Sequence, residues 1–152
     1  MHLLSRTLLL AGTALSLAAW AGDAPDPASL YEVKTEVASA RVEAGEKARL
    51  LISITAKQGA HVSDEAPLRL ELSGTNATPE KARLTLADSL EKPTPGQKYP
   101  NPRFEAVYTA VTPGQGTLDA NLTFFICTDT LCARQVKKLS VPLTITAANK
   151  AL

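Results

Sequence analysis

Cys127 and Cys132 are the residues of this sequence whose type and spacing point most directly to chemistry. They are the only two cysteines of the 152-residue chain, and they flank four turn-like residues, 128–131. Two thiols this close can form a disulfide, and a short-range disulfide that solvent reaches can exchange with the thiols of other proteins. The spacing by itself leaves two interpretations open, a redox site and a structural crosslink.

The segments on either side of the cysteines predict a β-hairpin. Apolar and polar residues alternate over residues 118–127 and again over 139–145. A period of two on both sides of a short polar insert is typical of antiparallel strands joined by a turn. Cys127 and Cys132 would then face each other with Cα atoms about 4.5–5.5 Å apart, which a disulfide accepts. Cys127 falls on the polar side of its strand, beside Phe125, so we expect its sulfur to be accessible.

Five further alternating runs predict the rest of the fold. A proline-rich segment, residues 92–102, is expected to be extended and irregular, because proline cannot donate ladder hydrogen bonds. About seven short strands in a chain of this length, with no long helical period, predict an all-β fold. The expected architecture is an antiparallel β-sandwich of immunoglobulin-like type. The five runs cover residues 31–37, 48–56, 68–72, 82–86 and 104–110.

The N-terminus predicts a cleavable signal peptide. A mostly apolar run over residues 8–20 precedes Ala19-Trp20-Ala21, which has the small-x-small pattern of a cleavage site. We therefore divide the chain into a signal peptide (1–21), a flexible polar lead-in (22–29) and one sandwich domain (30–148). We expect a periplasmic or secreted protein that does not span the membrane after cleavage, since no later run is long and apolar enough.

Charge and metal-ligand content exclude several classes of function. Of the 16 basic residues, Arg6 lies in the signal peptide, which leaves 15 against 15 acidic residues. A net charge near zero gives no support for nucleic-acid binding. A metal site built from Cys127, Cys132 and His61 would lack one ligand of a closed tetrahedral shell, and His61 is expected to be a surface loop residue. We predict no metal, no cofactor and a monomer.

The region around the cysteines resembles a known family. T-L-D-A-N-L-T-F-F-I-C-T-D-T-L-C (117–132), followed by V-K-K-L-S-V-P-L-T-I (136–145), resembles the end of the N-terminal domain of the thiol:disulfide interchange protein DsbD. In that family a strand leads into a Cys-x(4 or 5)-Cys turn and a last strand follows. G-A-H-V-S-D-E-A-P-L-R-L (59–70) resembles a loop of related exported proteins. The family domain is an immunoglobulin-like sandwich, and Tyr99 is the one candidate for its aromatic cap.

The resemblance implies a function as well as a fold. It implies a periplasmic thiol–disulfide exchange domain in which Cys127 and Cys132 are the catalytic pair. Its partners would be thioredoxin-like or membrane thiol–disulfide proteins, between which it would pass reducing equivalents. Whether the chain is then an enzyme, as a protein-disulfide reductase component, stays open. The alternative is a non-enzymatic secreted immunoglobulin-like binding or accessory domain with a structural hairpin disulfide.

Overall fold

Ten β-strands and two short 3₁₀ helices make up residues 24–149, the part of the chain that the computed structural model describes. The predicted signal peptide, 1–21, lies outside the described residues. The 3₁₀ helices cover Pro27–Ser29 and Leu86–Asp88. The strands are β1 (Tyr31–Val37), β2 (Arg41–Glu43), β3 (Lys47–Ala56), β4 (His61–Val62), β5 (Arg69–Thr75), β6 (Ala77–Pro79), β7 (Arg83–Thr85), β8 (Arg103–Ala110), β9 (Gly114–Cys127) and β10 (Cys132–Thr146).

The strands form the two layers of a β-sandwich. One sheet has the order β1-β3-β8-β6, and the other has the order β2-β10-β9-β5-β7, with β4 also pairing along β9. All pairs are antiparallel except the parallel pair of β2 with β10. The predicted all-β immunoglobulin-like sandwich is confirmed. Each of the seven predicted runs is a strand, and the three strands that were missed, β2, β4 and β6, have only two or three residues.

The core lies between the sheets and consists of the inward side chains of alternating strands. In β9 every second residue is buried, as the period of two requires, and the intervening residues are half-exposed. β3 and β8 alternate in the same way. The largest fully buried side chains from these three strands are Leu50, Ile52, Ile54, Phe104, Tyr108, Leu118, Leu122, Phe124 and Ile126.

The chain changes sheets between β1 and β2, and this leaves most of one edge of β10 without a strand partner. β1 pairs with β3 over its whole length, whereas β2 pairs with the last part of β10, residues 144–146. Within residues 24–149, no strand pairs with the remainder of β10 on the side away from β9. The final hairpin therefore places β10 at an edge of the sandwich for most of its length.

A buried tyrosine connects the two sheets beside this hairpin. The Tyr108 side chain of β8 is fully buried, and its hydroxyl donates to the Asp119 carbonyl of β9 at 2.9 Å. The Asp119 carboxylate accepts hydrogen bonds from the Ser140 hydroxyl of β10 (2.5 Å) and the Thr117 hydroxyl (2.6 Å). Burial and the negative charge of Asp119 raise the pKa of Tyr108 far above its ordinary value. Asp119 thus links β8, β9 and β10.

We expect Tyr108→Phe to lower the free energy of unfolding by about 1–3 kcal/mol, because the half-buried Asp119 carbonyl loses the hydrogen bond from a fully buried side chain. Urea denaturation at pH 7 measures the change. Tyr99→Phe is the control, since Tyr99 is partly exposed, and it should change stability by less than about 0.5 kcal/mol. Equal losses in the two variants would contradict the role of the Tyr108 hydrogen bond.

The raised pKa of Tyr108 also predicts a loss of stability at alkaline pH. In the unfolded chain this phenol ionises near its ordinary pKa of 10.0, whereas the folded protein keeps it protonated to higher pH. Its contribution to stability is therefore complete below about pH 10 and is lost as the pH rises towards the folded pKa. The unfolding free energy of the natural chain should fall more steeply above pH 10 than that of Tyr108→Phe. Parallel pH profiles would contradict this.

Candidate functional site

A disulfide joins Cys127, the last residue of β9, to Cys132, the first residue of β10. The two residues are direct partners in the ladder, and their Cα atoms are 4.1 Å apart. So close an approach is typical of a non-hydrogen-bonded pair in an antiparallel ladder. The predicted hairpin and its disulfide bond are both confirmed.

The residues between the cysteines form the turn that brings them together. The Thr128 N–H donates to the Leu131 carbonyl at 2.7 Å. The Thr128 hydroxyl oxygen accepts hydrogen bonds from the N–H groups of Thr130 (3.4 Å) and Leu131 (3.2 Å). Side-chain oxygens that bind backbone N–H groups in this way are typical of turns that begin with Ser or Thr. The local sequence thus sets the ladder register in which the cysteines meet.

The two cysteines differ in exposure. Cys132 is exposed, but Cys127 is only 3% exposed, so the predicted accessibility of Cys127 is wrong. The reason is β4, which pairs with the end of β9 on the side opposite β10 and places His61 directly beside Cys127. A two-residue strand leaves no periodic pattern in the sequence. Position on the polar side of β9 was therefore a poor guide to exposure.

Part of the proline-rich segment lies against β4. The Tyr99 ring stacks on His61 with ring centroids 3.9 Å apart and planes 15° from parallel. The Lys98 ammonium lies 4.7 Å from the Tyr99 ring centroid, and a hydrogen bond to Tyr99 raises the pKa of Lys98. His61 is thus a half-buried strand residue, not the surface loop residue that was predicted. Tyr99, the candidate cap, contacts the strand next to the disulfide.

The geometry does not offer thiolate ligands for a metal. His61 and Cys127 are neighbours in the ladder, but both sulfurs of the cysteine pair are bonded to each other. In the stretch 24–149, no group of three or more His, Cys, Asp or Glu residues could hold a metal ion. None of the helices in that stretch has the length and apolar character needed to cross a membrane.

The side chain of Tyr31, the first residue of β1, reaches β10 near the part of that strand that pairs only with β9. Its ring packs edge-on against Phe124 with centroids 4.9 Å apart, and its hydroxyl donates to the Gln135 amide oxygen at 3.0 Å. The Lys137 ammonium lies 5.5 Å from the same ring centroid. We define the open edge as residues 133–141 of β10. Its inward side chains are only half-buried: Ala133, Gln135, Lys137, Leu139 and Val141.

Comparison with known proteins finds a likeness among solved structures and none among protein families or curated proteins. No family model matches the chain, and no curated protein is significantly similar to it. Among solved structures, the chain is similar to AggA, the major subunit of aggregative adherence fimbriae type I from Escherichia coli. The two are 14% identical with a TM-score of 0.40, and the match covers 76% of this chain and 95% of that chain.

The predicted thiol–disulfide relay is wrong as the main function. In the site itself, Cys127 is buried, and the bond joins opposed residues of a long ladder, where it holds two strands together. The thioredoxin-like or membrane thiol–disulfide partners were expected as partners of that relay, so this prediction is wrong as well. The assignment of Cys127 and Cys132 as catalytic residues and the resemblance to the DsbD family stay predictions.

We expect reduction of the disulfide to leave the sandwich folded and to lower the free energy of unfolding by about 2 kcal/mol, the chain-entropy value for so small a loop. Urea denaturation with and without a phosphine reductant measures this. Cys127→Ala/Cys132→Ala is the matched control, because its stability should not respond to the reductant. Global unfolding on reduction, or no change at all, would contradict a crosslink that acts on one hairpin.

Proposed function

We propose that this chain is a non-enzymatic exported immunoglobulin-like domain that binds or supports a partner protein, with Cys127–Cys132 as a structural crosslink. One observation carries the proposal. The disulfide joins directly opposed residues where β10 begins, and β10 has a ladder partner on one side only until residue 144. A covalent bond at that point therefore stabilises the end of β10 that pairs with a strand on one side only.

The energetics of an edge strand explain why a weak crosslink is useful there. Hydrogen bonds at the ends of strands open with little free energy, far below the global stability of a domain. β2 supports the far end of β10 through Thr144–Thr146, but it does not reach Cys132. A contribution of about 2 kcal/mol is small for the whole domain and large for a fraying strand end. The disulfide and β2 thus support opposite ends of the same strand.

The disulfide also supports an exported location. Disulfides form and persist in oxidising compartments, such as the periplasm or the extracellular space, and are rare in the cytosol. This agrees with the signal peptide predicted for residues 1–21. We propose that the resemblance of residues 117–145 to the DsbD N-terminal domain reflects a shared fold and not shared exchange chemistry.

Exposed side chains on β10 support a binding role. Val136 is 45% exposed, although it lies in a regular strand. Arg134 and Lys138, two residues before and after it, are also exposed and share the same face. An exposed apolar side chain between two cations is a suitable contact for another protein, because it offers both apolar area and charge.

A redox titration tests the structural role of the disulfide. We expect a reduction potential below about −300 mV, the range of bonds that resist reduction by glutathione. Equilibration in dithiothreitol buffers, followed by alkylation of free thiols and mass spectrometry, measures it. A potential between about −180 and −270 mV, the range of exchange proteins, would contradict the proposal. Reduction of insulin disulfides by the protein above the buffer rate would contradict it too.

A further inference from the structure

We propose that the open edge of β10 binds an extended acidic segment of a partner protein as an added β-strand. This inference rests on the proposed binding function, and it names the surface and the chemistry of the partner. Strand addition to an exposed sheet edge is a general mode of peptide recognition, in which main-chain hydrogen bonds supply affinity and alternate side chains supply specificity.

Along the open edge, the backbone N–H groups that point away from β9 have no hydrogen-bond partner among residues 24–149. The Thr144 N–H donates to the Ala40 carbonyl at 2.9 Å, so residue 144 directs its backbone groups away from β9. The register of β10 on β9 is continuous from Cys132 to Ile145, and alternate residues of a strand direct these groups to the same side. The outward N–H groups therefore belong to Arg134, Val136, Lys138 and Ser140.

Two further details agree with this assignment. The Arg134 carbonyl accepts a hydrogen bond from the side-chain amide of Gln135 at 2.9 Å, as expected for a carbonyl that has no strand on its outer side. Pro142 has no N–H to offer, and it stands at a position where the group would point outward. Proline is tolerated in edge strands at such positions. Pro142 therefore marks the end of the free donors, shortly before β2 pairs with β10.

The space next to the open edge suits a strand with apolar inward residues. Leu139 and Val141 face the interior but are only half-buried, and Val33 and Val37 of β1 are half-buried against the same core. The inward residues of β9, one strand further in, are fully buried. A strand added to β10 would place every second side chain over these partly covered residues, which removes apolar area from water.

The charge of β10 selects an acidic partner. Arg134, Lys137 and Lys138 are its only charged residues, and it has no acidic residue. Within residues 24–149, none of the three lies within ion-pair distance of an acidic side chain. Glutamate or aspartate on the outer face of an added strand would lie opposite Arg134 and Lys138. Opposite charges on neighbouring strands stabilise the pair.

The same charges argue against a second copy of this chain as the occupant. Pairing of two β10 strands would place the cations of one copy beside those of the other, and like charges across a ladder are destabilising. Lysine and proline on an edge, and a charged residue that points inward, are devices that oppose self-pairing. Lys138, Pro142 and Lys137 supply all three. Pairing of the open edge with the same edge of a second copy is thus disfavoured, and the edge remains available to an acidic strand.

A designed peptide tests the inference. The probe is a blocked peptide of about ten residues that alternates valine with glutamate, a length that spans the open edge. A valine–lysine peptide and a shuffled peptide of the same composition are the controls. We expect the glutamate peptide alone to bind, with amide chemical-shift changes confined to residues 133–141 and to β1. Absence of binding, or equal binding of the lysine or shuffled peptide, would overturn the proposal.

Two pairs of protein variants locate the binding. Val136→Pro removes one outward N–H and should weaken binding about tenfold, the change expected from the loss of one hydrogen bond, whereas Val136→Thr keeps the N–H and should not. Lys138→Glu should also weaken binding, whereas Lys57→Glu, another exposed lysine, should not. Urea denaturation confirms that each variant is folded. Equal binding by Val136→Pro and Val136→Thr would overturn strand addition.

The redox titration separates this inference from the proposed function. If the glutamate peptide fails to bind while the disulfide resists reduction, the inference on the open edge is wrong and the structural role of the disulfide stands. If the disulfide exchanges readily, the proposed function is wrong whatever the peptide does. Sedimentation of the protein alone is the last test. If the protein self-associates and Val136→Pro abolishes this, the edge binds a second copy. That result would overturn the proposal of an acidic partner.

Discussion

The antiparallel ladder between β9 and β10 sets the position of the final hairpin and of the sheet edge beside it. It runs through fourteen consecutive residue pairs, from Cys132 with Cys127 to Ile145 with Gly114. β9 also carries β5 and β4 on its other side, so it lies inside the sheet, while β10 lies at the edge. The core residues of β9 and the hydrogen bond from Tyr108 to Asp119 hold the inner strand in position. β10 takes its register from that strand and from the disulfide.

The change of sheets between β1 and β2 determines what the hairpin presents to solvent. Because β1 pairs with β3, only the three residues of β2 remain to cover the outer side of β10. An uncovered strand is a risk for aggregation, and natural proteins limit that risk with charge, proline and inward-pointing cations. Lys137, Lys138 and Pro142 have these properties. Tyr31 fills part of the gap between the sheets, so the core beneath the edge stays packed. The backbone N–H groups of the edge still have no strand partner.

The sequence predicted the features that depend on local patterns and missed those that depend on sheet order. A period of two located seven of the ten strands, because alternation reflects which side chains are buried. The cysteine spacing and turn residues likewise predicted the hairpin and its disulfide. β4 has only two residues, so neither its pairing with Cys127 nor the stacking of His61 on Tyr99 was evident. The open edge was also missed, since no local pattern shows which strand lies beside β10.

The function was harder to predict than the fold for a related physical reason. Two cysteines in a short turn have the same spacing whether the bond is exchanged or permanent. The two cases differ in the surroundings of each sulfur and in how firmly the sheet holds the strands that the bond joins. The structure shows Cys127 buried beside β4 and Cys132 at the start of an edge strand. A resemblance that rests on the hairpin sequence indicates the turn, but it does not show what surrounds each sulfur.

Amide hydrogen exchange along β10, followed residue by residue by NMR, tests the account most directly. If β10 is an edge strand held on one side by β9, protection must alternate. The amides of Ala133, Gln135, Lys137, Leu139 and Val141 should exchange slowly, because they bond to β9. Those of Arg134, Val136, Lys138 and Ser140 should exchange near the rate of an unstructured peptide. Uniform protection would mean that another strand already covers the edge, and uniform fast exchange would mean that the ladder does not hold β10; either result would contradict the account.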